Sequence, residues 1–525
     1  MTEPSIADDL RRAVESPPTR IVVIGGGMAG LVVAHECARP SFAVTLLEAS
    51  ARVGGSVAAL QLDGLTVDAG AESFAVRGGH VAELLAELGL GDDIVQPNPA
   101  GAWVRYGERT VPLPKAGLLG IPSSPLARDV VAAIGWGGAL RAYLDRLLPV
   151  LTIGQERRLG TLVRKRMGAA VLDRLVAPVA TGVYSARPDD LDIAVVAPGL
   201  NQALTRNGSL SGAVGELRAA AKAGSAAAGI RGGMWRLPAA LAESVSRRGG
   251  VIRTGAAVTA LVPGAHPDEV DAQPESPDAP PSDAPAAPDE TAAPADDTAE
   301  PARWIVRLAD GEELPADAVV LAVPAHEALA LLGTAAPAFE ELEALGWPPA
   351  SSVELVTFVL ADERFDAAPR GTGVLVADTG SAVAAKATTH STAKWAWLAE
   401  EAGAGRHVVR LSYGRAGEPS GTAALTDDEL RAVALADIAR LYGIPVDDTA
   451  VLAFARTPWT NALPYAALGE RERIDRVRAE VEGVEGLDAT GSWLTGTGLA
   501  SVVPDARRTA ERVRGLRWRT LTENL

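Results

Sequence analysis

Residues 21–56 read IVVIGGGMAGLVVAHECARPSFAVTLLEASARVGGS, a stretch in which apolar runs alternate with glycines. Residues 21–24 are apolar and β-branched, which is typical of a buried parallel strand. Gly25, Gly27 and Gly30 then supply the spacing G-x-G-x-x-G. In a dinucleotide-binding turn the first glycine permits a tight turn, the second lets the backbone approach a pyrophosphate, and the third lets helix and strand pack closely. The stretch therefore predicts a strand, a phosphate-binding turn and a helix.

Glu48 closes the second predicted strand, residues 42–47. A carboxylate at this position accepts hydrogen bonds from a pair of ribose hydroxyls, and it repels a 2′-phosphate, so NADP is disfavoured. The N-terminus of the intervening helix presents unpaired N–H groups to the phosphates. Gly26, Met28 and Ala29 complete the residues that we expect at this turn.

The sequence after Glu48 separates FAD from NAD. Residues 49–56, ASARVGGS, resemble the E-x-x-x-R-x-G-G extension of FAD-dependent oxidases and desaturases, in which Arg52 would face phosphate charge. Residues 63–74, DGLTVDAGAESF, are similar to the strand and loop that run under the isoalloxazine ring in those enzymes. Plain NAD dehydrogenases lack this extension, so the resemblance implies FAD. It adds as expected flavin contacts Ala49, Gly54, Gly55, Ser56, Gly70, Ala71, Glu72 and Ser73.

Further segments resemble, in order, the protoporphyrinogen/coproporphyrinogen oxidase family of haem biosynthesis, within the amine-oxidase-like flavoproteins. They are GAESF at 70–74, LVAPVATGVY at 175–184, NGSL at 207–210, GGM at 232–234 with Leu237-Pro238, ATTH at 387–390 with Lys394-Trp395, Trp459 before Pro464-Tyr465, and GSW and GTGL at 491–499. Ala71 replaces the family's proline, and Tyr465 follows Pro464 directly. The resemblance also implies flavin contacts by Val258, Trp459, Gly491, Thr497, Gly498 and Leu499.

The resemblance implies oxidation of a porphyrinogen to a porphyrin, with hydride transfer from a methylene bridge to flavin N5. Three rounds remove six electrons and convert three O2 into three H2O2. The sequence shows no triad or carboxylate pair, which agrees with a reaction driven by aromatisation, so no catalytic residue is assigned. Expected substrate contacts are Arg77, Arg105, Lys394 and the backbone of Gly182. Exposed cations are usually only solvated, and G-V-Y alone is typical of a structural step from loop to strand, so a purely structural role stays open for these residues.

Two porphyrinogens remain as substrates. Many protoporphyrinogen oxidases place an arginine at the head of the strand before a G-x-L-x-x-L-P element, whereas Ala102 stands at this position. This departure favours the bacterial coproporphyrinogen III type over protoporphyrinogen IX. The fold is also compatible with an amine oxidase or a desaturase, and with a non-catalytic flavin or porphyrin carrier. Besides substrate and O2, ferrochelatase or another haem-pathway enzyme is a candidate partner.

Composition restricts the class of protein. The formal net charge is −17, of which residues 264–302, with eleven acids and no Lys or Arg, carry −11, leaving −17 − (−11) = −6 for the rest. The one cysteine, Cys37, excludes a disulfide framework and fits a core position in the first helix, and the six histidines form no metal-binding motif, so no metal is expected. We expect no nucleic-acid partner, no signal peptide, no membrane span and a cytoplasmic location, and we leave peripheral membrane contact open.

We predict an α/β fold, with a Rossmann-like FAD-binding domain that is discontinuous in sequence, a substrate-binding α+β domain and a helical subdomain. The expected segments are a disordered tail (1–19), the FAD-binding domain (20–75, 228–262, 303–325 and 455–520), a helical region (76–227), a disordered acidic loop (263–302) and a substrate-binding sheet (326–454) with strands at 353–360 and 407–413. The acidic loop should interrupt a hairpin, and a linker between domains is the alternative. The apolar stripe of residues 127–148 should be a core face, although the equivalent region touches membrane in relatives. Trp459 and Trp493 could be core aromatics instead of flavin contacts.

Overall fold

The structure is a computed structural model that describes residues 17–115, 117–149, 156–220, 227–264, 302–348, 351–377, 382–414, 421–463 and 468–523. Most of the expected tail (1–19) and of the expected acidic loop (263–302) lies outside the described residues. Pro464 and Tyr465 of the tryptophan motif lie outside them as well.

The strands, in chain order, are β1 (Thr19–Ile24), β2 (Phe42–Glu48), β3 (Ala59–Leu62), β4 (Leu65–Asp68), β5 (Phe74–Ala75), β6 (Ile94–Val95), β7 (Trp103–Tyr106), β8 (Arg109–Pro112), β9 (Gly117–Leu118), β10 (Ile121–Pro122), β11 (Ala227–Ile230), β12 (Val251–Thr254), β13 (Val258–Pro263), β14 (Trp304–Leu308), β15 (Glu313–Ala316), β16 (Ala318–Leu321), β17 (Ser351–Ala361), β18 (Gly373–Val376), β19 (Ala387–His390), β20 (Arg406–Tyr413), β21 (Val451–Leu463) and β22 (Leu487–Ala489).

The α-helices are α1 (Met28–Cys37), α2 (His80–Glu87), α3 (Arg128–Tyr143), α4 (Leu159–Met167), α5 (Ala169–Val171), α6 (Ala177–Tyr184), α7 (Ile193–Val196), α8 (Leu200–Asn207), α9 (Leu210–Ala220), α10 (Arg236–Arg247), α11 (Ala325–Ala335), α12 (Glu340–Glu343), α13 (Ser391–Lys394), α14 (Ala396–Ala402), α15 (Asp427–Tyr442), α16 (Glu470–Glu482), α17 (Ser492–Thr495) and α18 (Leu499–Glu523). A π-helical turn, Leu172–Val176, joins α5 to α6.

A five-stranded parallel sheet, in the order β12-β2-β1-β16-β22, carries the dinucleotide fingerprint. Apolar side chains of β1 face both sides of this sheet, as expected for a buried parallel strand. One side packs on α1, α10 and α18, and the other on β13, β14, β15 and α11. Cys37 is fully buried in the first of these cores, as predicted. The sheet confirms the predicted α/β fold with a discontinuous Rossmann-like unit.

A second, seven-stranded sheet has the order β21-β17-β20-β19-β18-β7-β8. Strands β17 and β20 confirm the strands expected at 353–360 and 407–413. The helical region expected at 76–227 is only partly helical, because β7 and β8 form a hairpin that joins this sheet through parallel pairing of β7 with β18. Strand β21 runs through the expected boundary between residues 454 and 455, since it pairs with β17 on both sides of that point. The division into domains stays a prediction.

Strands β13 and β14 pair antiparallel up to Pro263 and Trp304, and a backbone hydrogen bond from the Gly264 N–H to the Arg303 carbonyl continues the ladder. Residues 265–301 therefore connect two strands of one hairpin, which confirms that the acidic segment interrupts a hairpin and does not link separate domains. A turn at Asp310–Gly311 joins β14 to β15, which also pair antiparallel.

The apolar stripe of residues 127–148 is divided between core and surface. Val130, Ala133 and Ile134 are buried with the α4–α9 helices, as expected. Gly135 has φ +76, which breaks the helical geometry and rotates the second half of α3 relative to the first. The prediction of a core face is therefore incomplete, because large apolar side chains after the break are exposed. They are Trp136, Leu140, Tyr143, Leu144, Leu147 and Leu148.

Candidate functional site

Two glycine-rich segments that are separate in the sequence lie against each other at the carboxyl end of β1. Gly27 and Gly54 form an isolated parallel bridge, and the Gly54 N–H donates to the Gly26 carbonyl at 2.8 Å. Gly25 has φ +107, and a Cβ on Gly30 would lie 1.9 Å from the Gly25 carbonyl oxygen. The turn and the close helix packing thus follow from the glycines that the fingerprint predicts.

The surface between these segments is lined by backbone. A Cβ placed on Gly27 would meet no atom within 4 Å, and the nearest atom to one on Gly55 would be the Gly27 Cα at 3.4 Å. Met28 and Ala29 begin α1 at this point, so its free N–H groups face the same space. A diphosphate needs this combination of close backbone approach and unpaired donors, so the residues present fit the dinucleotide part of FAD.

Glu48 is held at the end of β2 by backbone donors. Its Oε2 accepts from the Gly26 N–H and its Oε1 from the Ser50 N–H, both at 2.8 Å. The Ala256 N–H donates to the Glu48 carbonyl at 2.9 Å, which brings the start of β13, with Val258, beside the same strand end. Ala49 follows Glu48 directly. This geometry places the carboxylate where ribose recognition was predicted.

The loop of residues 68–73 joins the glycine segments to the second sheet. A Cβ on Gly70 would lie 2.0 Å from the Ser56 carbonyl oxygen, which also accepts from the Ala71 N–H at 3.0 Å. Trp459 donates from Nε1 to the Ala69 carbonyl at 3.0 Å, and the Arg52 guanidinium lies 5.4 Å over the Trp459 ring. Predicted residues from three parts of the chain therefore meet here.

A charged cluster, made of Glu72, Ser391, Lys394 and Arg410, lies beneath this loop. Lys394 Nζ is 2.7 Å from Glu72 Oε1, Ser391 Oγ is 3.1 Å from Oε2, and Arg410 Nη2 is 3.3 Å from Oε2. Burial alone would raise the pKa of Glu72, but Arg410 and Lys394 together lower it to about 2. The cluster therefore holds one anion and two cations.

Asp68, at the end of β4, was not predicted as a site residue. Its carboxylate accepts from the Met234 and Trp235 N–H groups, both at 3.0 Å. Burial raises the pKa of Asp68 to about 6 despite these two donors. Arg410 was also missed, and its signal in the sequence is weak: a charged residue within the strand HVVRLSY, next to the apolar residues Val409 and Leu411.

The C-terminal turn reaches the same region. Gly491, Thr497, Gly498 and Leu499 lead into α18, which packs on α1, and Arg77 donates to Ser501 Oγ in the first turn of α18 at 2.7 Å. Trp493 instead is 4% exposed and packs edge-on against Trp347 at 5.3 Å, which confirms the core alternative for this residue.

One predicted substrate contact, Arg105, lies elsewhere. Arg105 is buried and donates from Nη1 to the Arg440 carbonyl in α15, on the face of the seven-stranded sheet opposite to the 68–73 loop. This placement argues against a substrate role for Arg105, because its guanidinium completes the end of a helix. Gly182 lies in the last turn of α6, not at a step from loop to strand, and a Cβ there would be 2.6 Å from Leu375 Cδ2. Lys394, as described, is paired with Glu72.

Residues 28–278 and 297–514 match the sequence model of the family described as flavin containing amine oxidoreductase. The chain belongs to this family. It is therefore an FAD-dependent oxidoreductase, and the backbone-lined space at Gly27 and Gly55 fits that cofactor. Among the described residues, no helix is long and apolar enough to cross a membrane.

Curated relatives of similar length resemble nearly the whole chain. The coproporphyrinogen III oxidase of Mycobacterium tuberculosis is 29% identical, and the match covers 94% of this chain and 97% of the relative. The enzyme of the same name from Bacillus subtilis is 24% identical, with 93% and 96% covered. A solved structure from Exiguobacterium sp. 255-15, provisionally assigned as a protoporphyrinogen oxidase, has a TM-score of 0.75 at 24% identity and covers 94% of this chain and 98% of that chain. The similarity to this solved structure supports the fold.

Proposed function

We propose that the protein oxidises coproporphyrinogen III to coproporphyrin III in haem biosynthesis. The observation that carries this proposal is the similarity to relatives named coproporphyrinogen III oxidase over 94% of the chain. The family match, over residues 28–278 and 297–514, includes Gly30, Gly54 and Gly55, the 68–73 loop and the seven-stranded sheet that covers this loop. Amine oxidases and desaturases share this fold, so fold alone does not support the assignment.

When bound, FAD would supply two-electron oxidation at a methylene bridge, and three such rounds would remove six electrons while three O2 are reduced to three H2O2. The chain's own residues bind and orient the cofactor. The Gly27 and Gly55 backbone and Glu48 hold the nucleotide, and the 68–73 loop, fixed by Arg410 and Trp459, supports the ring.

The two carboxylates of the 68–73 loop, those of Asp68 and Glu72, already have hydrogen-bond or ion-pair partners within the protein. Asp68 accepts two backbone N–H groups, and Glu72 is paired with Lys394 and Arg410. We therefore assign no general base to either residue, and we propose that aromatisation of the ring drives the loss of the pyrrole protons. The protein contributes by positioning the substrate and by excluding water from the site.

The choice of coproporphyrinogen over protoporphyrinogen IX, the alternative substrate, is supported by Ala102. This residue immediately precedes β7, and its carbonyl accepts from the Leu113 N–H at 2.9 Å. A cation at this position would hold a propionate in the protoporphyrinogen type, and alanine offers none. Arg77, exposed beside the start of α18, remains our candidate for a propionate.

We propose a cytoplasmic location, for which the single buried cysteine is the supporting observation. The exposed apolar side chains that follow Gly135 support peripheral contact with a membrane, because an apolar surface flanked by arginines suits the interface of an anionic bilayer. Ferrochelatase or another haem-pathway enzyme stays a candidate for receiving the product.

Parallel steady-state kinetics on coproporphyrinogen III and protoporphyrinogen IX test the function. We expect porphyrin fluorescence and H2O2 in a ratio of three peroxides per porphyrin, with the higher kcat/KM for coproporphyrinogen III. A higher value for protoporphyrinogen IX would establish the alternative substrate. If neither porphyrinogen is oxidised in air, the proposal is wrong, and bound FAD that never bleaches with substrate under anaerobic conditions would indicate a carrier.

A further inference from the structure

Three successive backbone carbonyls of the 68–73 loop are held by side chains of the seven-stranded sheet. Arg410 Nη1 donates to the carbonyls of Asp68, at 3.2 Å, and Gly70, at 2.6 Å. The carbonyl between them, that of Ala69, accepts from Trp459 Nε1 at 3.0 Å. The loop therefore depends for its shape on two side chains that come from another part of the fold.

Arg410 is suited to fix this loop because it lies in a strand that is paired on both sides and because its guanidinium makes several contacts with the loop. It lies in β20, which pairs along its length with β17 on one side and with β19 on the other. Its side chain is 12% exposed, and its third contact is the Glu72 carboxylate. The planar guanidinium thus spans residues 68, 70 and 72, which a lysine ammonium could not bond together.

The loop has little room to adjust if this support is removed. Gly70 already approaches the Ser56 carbonyl so closely that a Cβ would lie 2.0 Å from it, and the Ala71 N–H is bonded to the same oxygen. The Ser56 segment is in turn continuous with Gly54 and Gly55 at the nucleotide site. A shift of the 68–70 backbone is therefore transmitted to the glycines that approach the cofactor.

We propose that Arg410 is a positioning residue for FAD: it holds the 68–73 loop from the seven-stranded sheet, so that FAD affinity depends on an arginine outside the nucleotide-binding unit. This inference rests on the proposed flavin site at the loop and not on the identity of the substrate. It also gives Arg410 a role beside Glu72 that Lys394, which already pairs with that carboxylate, does not have.

A comparison with Lys394 shows whether Arg410 acts through the geometry of its hydrogen bonds or only through its charge. Both cations neighbour Glu72, but the contacts of Lys394 Nζ within the loop are with the carboxylate, whereas Arg410 also holds two carbonyls. Arg406 is a matched control on the same strand, because it bonds the Asp63 carbonyl at 2.9 Å and the Asp63 carboxylate in the β3–β4 turn, outside the 68–73 loop.

The test measures FAD affinity of the apo-protein by titration with FAD, followed by tryptophan fluorescence and by the visible spectrum of the bound flavin. Because Arg410→Gln removes the hydrogen bonds that hold the carbonyls of residues 68 and 70, it should raise the FAD dissociation constant by about 10-fold to 100-fold and alter the flavin spectrum. Arg410→Lys, which keeps the charge, should give an intermediate value. Lys394→Gln and Arg406→Gln should change the dissociation constant by less than about 3-fold on the same scale.

Unchanged FAD affinity in Arg410→Gln would overturn the inference, as would equal losses in Arg410→Gln and Lys394→Gln, because charge would then be the cause. If Arg410→Gln does not fold, Arg410→Lys decides, and wild-type affinity in that variant refutes the proposal. Wild-type protein that binds FAD but oxidises no porphyrinogen contradicts the proposed function and leaves this inference standing.

Discussion

Substituting two glycines of the same turn, Gly27→Ala and Gly30→Ala, should separate folding from cofactor binding. The chemical change is identical, and neither position has a positive φ, so backbone strain does not complicate the comparison. The difference lies in what each new methyl group meets. At Gly30 it would be 1.9 Å from the Gly25 carbonyl oxygen, whereas at Gly27 it would meet nothing within 4 Å.

The distances set the expected magnitudes. Carbon and oxygen normally approach to about 3.3 Å, so Gly30→Ala forces α1 and the turn apart by more than about 1 Å, and overpacking of this kind costs about 1–3 kcal/mol. Helix propensity returns up to about 1 kcal/mol, so we expect a net loss of about 2 kcal/mol for the apo-protein. Gly27→Ala should leave apo stability within about 0.5 kcal/mol, since a weaker N-cap is offset by reduced freedom of the unfolded chain.

For FAD binding, Gly27→Ala should be the damaging substitution. Its methyl group fills the space that a diphosphate needs, so we expect FAD affinity to fall at least about 100-fold, equivalent to about 2.7 kcal/mol. Chemical denaturation of the apo-proteins and FAD titration provide the two measurements. Wild-type FAD affinity in Gly27→Ala would refute the placement of the diphosphate, and wild-type apo stability in Gly30→Ala would refute the close packing.

Three further outcomes are expected. The pKa of Glu72 is lowered from 4.5 to about 2, so its charged form stabilises the fold above pH 4.5, and this contribution is lost as the pH falls from about 4.5 to about 2. Glu72→Gln should therefore lower the free energy of unfolding by about 3 kcal/mol at pH 7. Denaturation series at decreasing pH should show this difference from wild type shrinking toward pH 2. Trp493→Ala should lower apo stability by about 3–5 kcal/mol, whereas a larger effect on FAD affinity than on stability would contradict its core role. Trp136→Glu should leave stability within about 0.5 kcal/mol but reduce sedimentation with anionic vesicles, unlike Leu452→Glu on another exposed surface; no vesicle binding by wild type would exclude membrane contact.

The parts of the fold around the site that the sequence predicts correctly are those governed by neighbours in the chain. The glycine turn after β1 depends on Gly25 and Gly30, whose requirements are set within six residues, and the position of Glu48 at the end of β2 follows from the length of the βαβ unit. The hairpin around the acidic segment was equally predictable, because strand patterns flank it on both sides. Local geometry leaves a local signature, so these features need no tertiary information.

The features that were missed depend on which distant segments meet. Arg410 bonds residues more than 300 positions away, and its strand pattern does not reveal them. Arg105 faces α15 instead of the 68–73 loop, and this orientation depends on the register of β7 against β18, which no residue near Arg105 specifies. The exposure of Trp136 follows from one residue, Gly135, whose positive φ interrupts the periodicity of the helix.

The strand order of the parallel sheet has a consequence for synthesis of the protein. The central strand β1 lies between β2, which follows it at once, and β16, which leaves the ribosome about 300 residues later, and β22 and α18 come near the end of the chain. Arg517 of α18 then donates to the carbonyls of Pro17 and Ser41 and to Thr19 Oγ1, which joins this helix to the start of β1. The amino-terminal third of the chain therefore emerges with an open, apolar edge at β1, which is covered only when β16 arrives from the middle third, and the edge of β16 is covered only when β22 arrives near the end of the chain. We therefore expect chains truncated before β22 to be substrates for chaperones and proteases instead of partly active enzymes.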